Sequence, residues 1–196
     1  MAERLTVLVD MDGPLAGFDN EVLARMAVRL GHIPLLETRN NFYISDDYPE
    51  HAQLVRALSD EQGFFESLPV EEGALEGWEQ LLDLGYHPRI CSSPISTNPY
   101  SAAEKLRWLE RHFVPKFGKY VVDEAIITKQ KHLFDGIALI DDRPEIVQAD
   151  EASWQHVIYD KEYNRHVDGM RTVTWRDPTL PDTLEAAKEL YVPRAA

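Results

Sequence analysis

Two aspartates stand two residues apart where an apolar run ends: Leu5–Val9 leads into Asp10-Met11-Asp12-Gly13. A second pair, Asp141-Asp142, follows the run Ile137–Ile140 and precedes Arg143-Pro144. If both runs are neighbouring strands of one sheet, four carboxylates converge on the crevice at the strands' carboxyl ends, where open α/β sheets bind ligands. Like charges about 4 Å apart repel by roughly 4 kcal/mol at a surface-like dielectric, so such a cluster calls for a cation. An all-oxygen donor set suits Mg²⁺, which keeps several waters and takes one or two carboxylates together with substrate phosphate. A lone Asp-x-Asp is ordinarily a turn or a helix cap. The coincidence of two strand ends favours the cation reading.

A third strand-like run ends in Ile90-Cys91-Ser92-Ser93-Pro94, and Lys131 follows a fourth that closes near Thr128. A hydroxyl donor and an ammonium group are what a bound phosphoryl group requires. Cys91 lies inside its apolar run and reads as a small buried hydrophobe rather than a nucleophile. The seven histidines show no His-x-His or His-Glu-x-x-His spacing, which leaves a zinc hydrolase without support and most of them as surface or loop residues.

These residues need a sheet to hold them. Leu5–Val9, Ile90–Cys91, Ala125–Ile127, Ile137–Ile140 and Val157–Tyr159 read as short buried strands separated by helical patterns. That alternation predicts a Rossmann-like α/β core, a mainly parallel sheet flanked by helices. Ala74, Leu75, Trp78, Leu81 and Leu82 recur at helical spacing before Gly85, Asn98-Pro99 opens a helix through Leu106 and Leu109, and Pro181 to Leu190 forms a closing helix. Trp78 and Trp108 fall on apolar stripes and belong to the core, whereas periodicity does not place Trp154 or Trp175. A β-α-β crossover takes about 30 residues, far fewer than separate Asp10 from Ser92. The excess carries the stripe Val22, Leu23, Met26, Ala27 and Leu30, stopped by Gly31, and a second stripe of Leu54, Val55 and Leu58. We therefore expect a small helical cap at 19–73 inserted after the first strand, with 1–18 and 74–196 forming the core.

The chain has 196 residues, enough for one core plus a small insertion. No stretch approaches the roughly 18 to 20 apolar residues of a membrane span, and the amino terminus lacks the apolar region of a secretory signal. One cysteine excludes an internal disulfide framework and fits a reducing compartment, so the expected location is the cytoplasm. A formal charge of −14 without a basic run argues against a polymeric nucleic-acid partner.

In order and placement, Asp10-Met11-Asp12-Gly13, Ser92, Lys131 and Asp141-Asp142 resemble the four motifs of haloacid dehalogenase-like (HAD) phosphatases. Within that superfamily the chain is similar to the 5′(3′)-deoxyribonucleotidases. Asp10-Met11-Asp12-Gly13-Pro14-Leu15-Ala16-Gly17-Phe18, Ile90-Cys91-Ser92-Ser93-Pro94-Ile95, Leu139-Ile140-Asp141-Asp142-Arg143-Pro144 and the spacing from Thr128 through Lys131 to Asp141 carry the likeness.

The resemblance implies an Mg²⁺-dependent monophosphatase acting on small nucleotides, foremost pyrimidine deoxynucleoside monophosphates, through an aspartyl-phosphate. It makes Asp10 the nucleophile and Asp12 the acid and then the base. It assigns the metal to Asp10, the Asp12 carbonyl and Asp142, with Asp141 orienting Lys131 or a metal-bound water, and gives Ser92, Ser93 and Lys131 to the phosphate. It matches Phe18, Phe42, Tyr43, Ile44, Ile95 and Lys129 to substrate-side positions, although Phe42, Tyr43 and Ile44 also suit packing of the cap on the core. Lys129 stands where the family pattern has arginine, Gly17 where it often has an acid and Ser96 where lysine occurs. These departures bear on nucleotide preference more than on catalysis, since lysine lacks the planar fork of arginine. A homodimer is one expectation for the assembly. The rival readings are a phosphatase of the same superfamily for another small phosphoester, such as a sugar phosphate, and a catalytically silent nucleotide-binding protein.

Overall fold

The computed structural model describes residues 4–32, 38–172 and 174–193. Its centre is a six-stranded sheet in the order β3-β2-β1-β4-β5-β6. The strands are β1 (Thr6–Val9), β2 (His87–Ser92), β3 (Ile126–Ile127), β4 (Ala138–Asp141), β5 (Gln155–Tyr159) and β6 (Met170–Thr172). All the pairings are parallel. Five strands fall where the apolar runs predict them. The edge strand β6 was not expected, because Met170-Arg171-Thr172 offers neither an apolar run nor a clean alternation.

The sheet is covered on both faces, and its alternation divides the core. Val7, Val9, Ile90, Ile140, Val157 and Tyr159 enter the larger cluster, which also holds Trp78, Trp108 and Trp175. Leu8, Cys91, Ile126 and Leu139 point the other way into a smaller cluster closed by Trp154. All four tryptophans are thus buried, including the two that periodicity could not place.

The helices are α1 (Phe18–Leu30), α2 (Ile44–Asp47), α3 (Ala52–Ser59), α4 (Ala74–Asp83), α5 (Ser101–His112), α6 (Val114–Phe117), α7 (Tyr120–Asp123) and α8 (Leu180–Glu189). Gly31 ends α1 in the left-handed region at φ 75°, where its N–H bonds the Ala27 carbonyl, a stop that glycine makes without steric cost. Between β1 and β2 the chain carries α1, α2 and α3 before α4, which accounts for the long interval from Asp10 to Ser92. Residues 33–37 of the expected cap, and residues 1–3, 173 and 194–196 of the expected core, lie outside the described residues.

Register positions the chemistry. Val9 pairs with Ile90 on one side and Ile140 on the other, so the next residues, Asp10, Cys91 and Asp141, reach the same level of the sheet. The Asp10 N–H donates to the Ile140 carbonyl at 2.8 Å and extends the β1–β4 ladder one step into the acidic motif.

Candidate active site

Beyond Asp10 the chain turns sharply. The Met11 carbonyl accepts from the N–H groups of Leu15 and Ala16 at 3.0 and 2.8 Å, and the Gly13 N–H donates to the Ala16 carbonyl at 2.9 Å. Gly13 sits at φ +90°, and a Cβ there would lie 2.1 Å from Oδ2 of Asp142. Any side chain at this position therefore meets both backbone strain and the buried carboxylate. Gly13→Ala is expected to destabilise the protein by about 1–3 kcal/mol. Thermal unfolding checks this, and an unchanged midpoint would contradict it.

Four acids gather at the strand ends. One carboxylate oxygen from each of Asp10, Asp141 and Asp142 lies within 4.8 Å of the others, and all three residues are buried. Lys131, in the 3-10 turn after β3, donates from Nζ to Asp10 Oδ1 at 2.7 Å and Asp141 Oδ2 at 2.6 Å. The other oxygen of Asp141 accepts the Arg143 N–H at 2.9 Å. Trp154 steadies the turn by donating from Nε1 to the Lys131 carbonyl at 3.2 Å.

A second lysine, not anticipated from the sequence, serves the other half of the site. Lys105 of α5 is fully buried and donates to Asp12 Oδ2 at 2.7 Å and Ser92 Oγ at 2.8 Å. Its ammonium lies 5.1 Å from the Phe65 ring centroid. A signal existed: Ser101, Glu104, Lys105, Trp108 and Leu109 form one buried stripe at helical spacing, so both charges sit on the apolar face of α5. Burying a lysine there requires a partner, which Asp12 supplies. The other oxygen of Asp12, Oδ1, is buried and has no hydrogen-bond partner.

The surroundings drive neighbouring acids in opposite directions. Burial would raise the Asp10 pKa, but Lys131 and Lys105, with hydrogen bonds from Lys131 and Ser92, outweigh it and hold the group below the usual carboxylate range. Asp12 is raised, because burial and the charge of Asp10 together exceed the pull of Lys105. Burial, then Asp141 and Asp10, push Asp142 well above its ordinary value. Four carboxylates share two ammonium groups in this cluster, which leaves negative charge for a cation to offset. The oxygen-only donor set of Asp10, Asp141 and Asp142 fits Mg²⁺.

The remaining sequence-derived candidates scatter in role. Ser93 Oγ donates to the Thr128 carbonyl at 3.2 Å, and Lys129 reaches Ser96. Phe18 meets Phe64 edge-on at 5.2 Å, Ile44 is buried in the main core, and Ile95 packs against that core. Tyr43 is 59% exposed, so adjacent positions of the 42–44 triplet face different surroundings. Phe42 lies under the Arg143 guanidinium at 4.6 Å. Cys91 is buried, which pushes its thiol up to about 12 and keeps it un-ionised. His132 is the one buried histidine among the seven.

A family model described as "5′ nucleotidase, deoxy (Pyrimidine), cytosolic type C protein" matches residues 4–187. A Bordetella pertussis protein provisionally named 5′(3′)-deoxyribonucleotidase is 38% identical over 176 residues, covering 88% of this chain and 92% of its own. The human cytosolic-type 5′(3′)-deoxyribonucleotidase is 34% identical over 190 residues, covering 90% and 92%. Among solved structures, a HAD hydrolase of Entamoeba histolytica superposes with a TM-score of 0.54 at 17% identity, covering 94% of this chain and 99% of its own. A Bacillus subtilis HAD hydrolase bound to magnesium reaches 0.51 at 14% identity, covering 95% and 100%.

Proposed function

Because the chain belongs to the 5′(3′)-deoxyribonucleotidase family of HAD hydrolases, we propose that it is an Mg²⁺-dependent phosphomonoesterase that dephosphorylates pyrimidine deoxynucleoside monophosphates through an aspartyl-phosphate. The observation that carries the mechanism is the divergence of Asp10 and Asp12: two residues apart, each held by its own lysine, one is driven toward the anion and the other toward the acid. Acid and nucleophile assignments follow from environments that separate two such groups.

In this reading the Asp10 carboxylate attacks phosphorus, and the bond from phosphorus to the sugar oxygen breaks. Asp12 passes its proton to that departing oxygen. A water then attacks the phosphoryl group, the bond to Asp10 breaks, and Asp12 takes back a proton. Asp12 Oδ1, buried and unpartnered, is the oxygen free to carry it, while Lys105 fixes Oδ2. Ser92 and Lys131 hold the phosphoryl oxygens through donors already placed by β2 and the 131–133 turn. Asp10, Asp142 and the Asp12 carbonyl would hold Mg²⁺, which supplies neutralisation of charge on the nucleophile and the transferring group. The engagement of both Asp141 oxygens, by Lys131 and the Arg143 N–H, supports Asp142 as the direct ligand and Asp141 as the residue that orients the lysine.

Residues 19–73 act as the cap that selects the leaving group, with Phe18, Phe42 and Tyr43 on the substrate side. Among the described residues no helix is long and apolar enough to cross a membrane. A cytoplasmic reaction on free nucleotides is the reading that the cytosolic-type relative supports. Phosphate release from dUMP and dTMP, measured beside a glycolytic sugar phosphate and an aryl phosphate, with Mg²⁺ and with chelator, tests the assignment. We expect a metal-dependent preference for the deoxynucleotides. Turnover of the other esters alone would keep the chemistry and discard the substrate.

A further inference from the structure

Asp142 is held from two sides. The Gly13 backbone crowds its carboxylate from one, and from the other the Tyr163 hydroxyl donates to Oδ2. Tyr163 belongs to the 3-10 turn Glu162–Asn164. The amide of Asn164 donates at 2.8 Å to both the Asp142 and the Tyr159 carbonyls, and Arg171 donates to Asn164 Oδ1 at 2.8 Å.

The ring of the same tyrosine is covered by the segment that precedes α2. The Arg39 guanidinium lies 4.8 Å over the Tyr163 ring, and Phe42 meets that ring edge-on at 5.8 Å. The Arg39 N–H donates to Glu162 Oε2 at 2.9 Å, one residue before Tyr163. Arg39 is itself fixed by ion pairs to Asp19 and Asp47. A continuous set of contacts therefore runs from residues 39–47 through one side chain to one carboxylate of the acidic cluster.

We propose that Tyr163 is the positioning residue for Asp142, and that through it cation affinity depends on the docking of residues 39–47. This rests on the cation reading of the Asp10–Asp141–Asp142 cluster. An unrestrained Asp142 carboxylate is free to turn away from two like charges, whereas the hydroxyl anchors Oδ2 and opposes that rotation. Groups that orient metal-binding carboxylates in this way typically change metal affinity by about 10- to 100-fold when removed. The ring contacts keep the hydroxyl in place, so loosening them weakens the same interaction by the same route.

The test is calorimetric titration of the substrate-free protein with MgCl₂, which reads binding rather than turnover. Tyr163→Phe keeps the ring and is expected to weaken Mg²⁺ binding about 10- to 100-fold with its thermal unfolding midpoint unchanged. Arg39→Met is expected to weaken it several-fold in the native background and to add nothing in the Tyr163→Phe background, since both losses pass through the hydroxyl. Phe42→Leu, which spares the Arg39 ion pairs, replaces Arg39→Met if that variant loses cooperative unfolding. Wild-type Mg²⁺ affinity in Tyr163→Phe overturns the positioning role, and fully additive losses overturn the link to residues 39–47. Asp142→Asn is the reference. Its loss of binding beside an unaffected Tyr163→Phe sinks this inference alone, while unaltered binding in Asp142→Asn sinks the cation reading beneath it.

Discussion

Asp10→Asn should abolish phosphatase turnover, by on the order of 10⁴-fold or more, while the protein folds as before. The amide is nearly isosteric with the carboxylate but offers no anionic oxygen to attack phosphorus. Structural disruption should be small, because Lys131 retains Asp141 as an ion-pair partner at 2.6 Å and the Asp10 N–H keeps its bond to the Ile140 carbonyl. The lowered pKa of Asp10 makes the native carboxylate a contributor to stability above its unfolded pKa, a contribution lost as pH falls through the folded value. The variant should therefore show a stability profile less sensitive to acid than the wild type. Steady-state kinetics beside circular dichroism separates the two effects. Substantial residual turnover in a folded variant would remove Asp10 from the nucleophile's role.

Lys105→Met is expected to lower kcat by about 10²-fold or more, the scale on which positioned acid–base catalysis acts. The methionine fills similar space beside Phe65 but leaves Asp12 Oδ2 and Ser92 Oγ without their donor. The sign on pH is definite. Lys105 stabilises the anionic form of Asp12, so its removal raises an already raised pKa, and the acid form persists to higher pH. The alkaline limb of the kcat profile should move upward in the variant. A profile unmoved from wild type, with kcat intact, would show that Lys105 only fills the core.

The two lysines differ in how far they announce themselves. Lys131 follows a strand-like run and precedes the second acidic pair at a spacing that the resembled family shares, so order along the chain sufficed to single it out. Lys105 lies inside an amphipathic helix with no motif around it, and its meaning depends on which face of α5 meets Asp12. Tyr163 was equally silent, since a tyrosine in a polar turn has no sequence feature that ties it to Asp142. The cap triplet divides in a way its sequence does not show: Phe42, Tyr43 and Ile44 look alike as a hydrophobic group, yet Tyr43 is exposed and Ile44 is buried in the core.

Local patterning by itself determined the parallel sheet, its strand-end acids and the inserted helices, because each rests on short-range periodicity or contiguous residues, while the family came from the resemblance of the ordered motifs. Those features survive in a chain read one neighbour at a time. The tertiary structure alone decided which charges neutralise which. Lys105 meets Asp12 across 93 positions and Lys131 meets Asp10 across 121. Coulombic and hydrogen-bond energies depend on separations of a few ångströms, which only packing establishes. The opposite pKa shifts of Asp10 and Asp12, two residues apart in the chain, are the product of that packing.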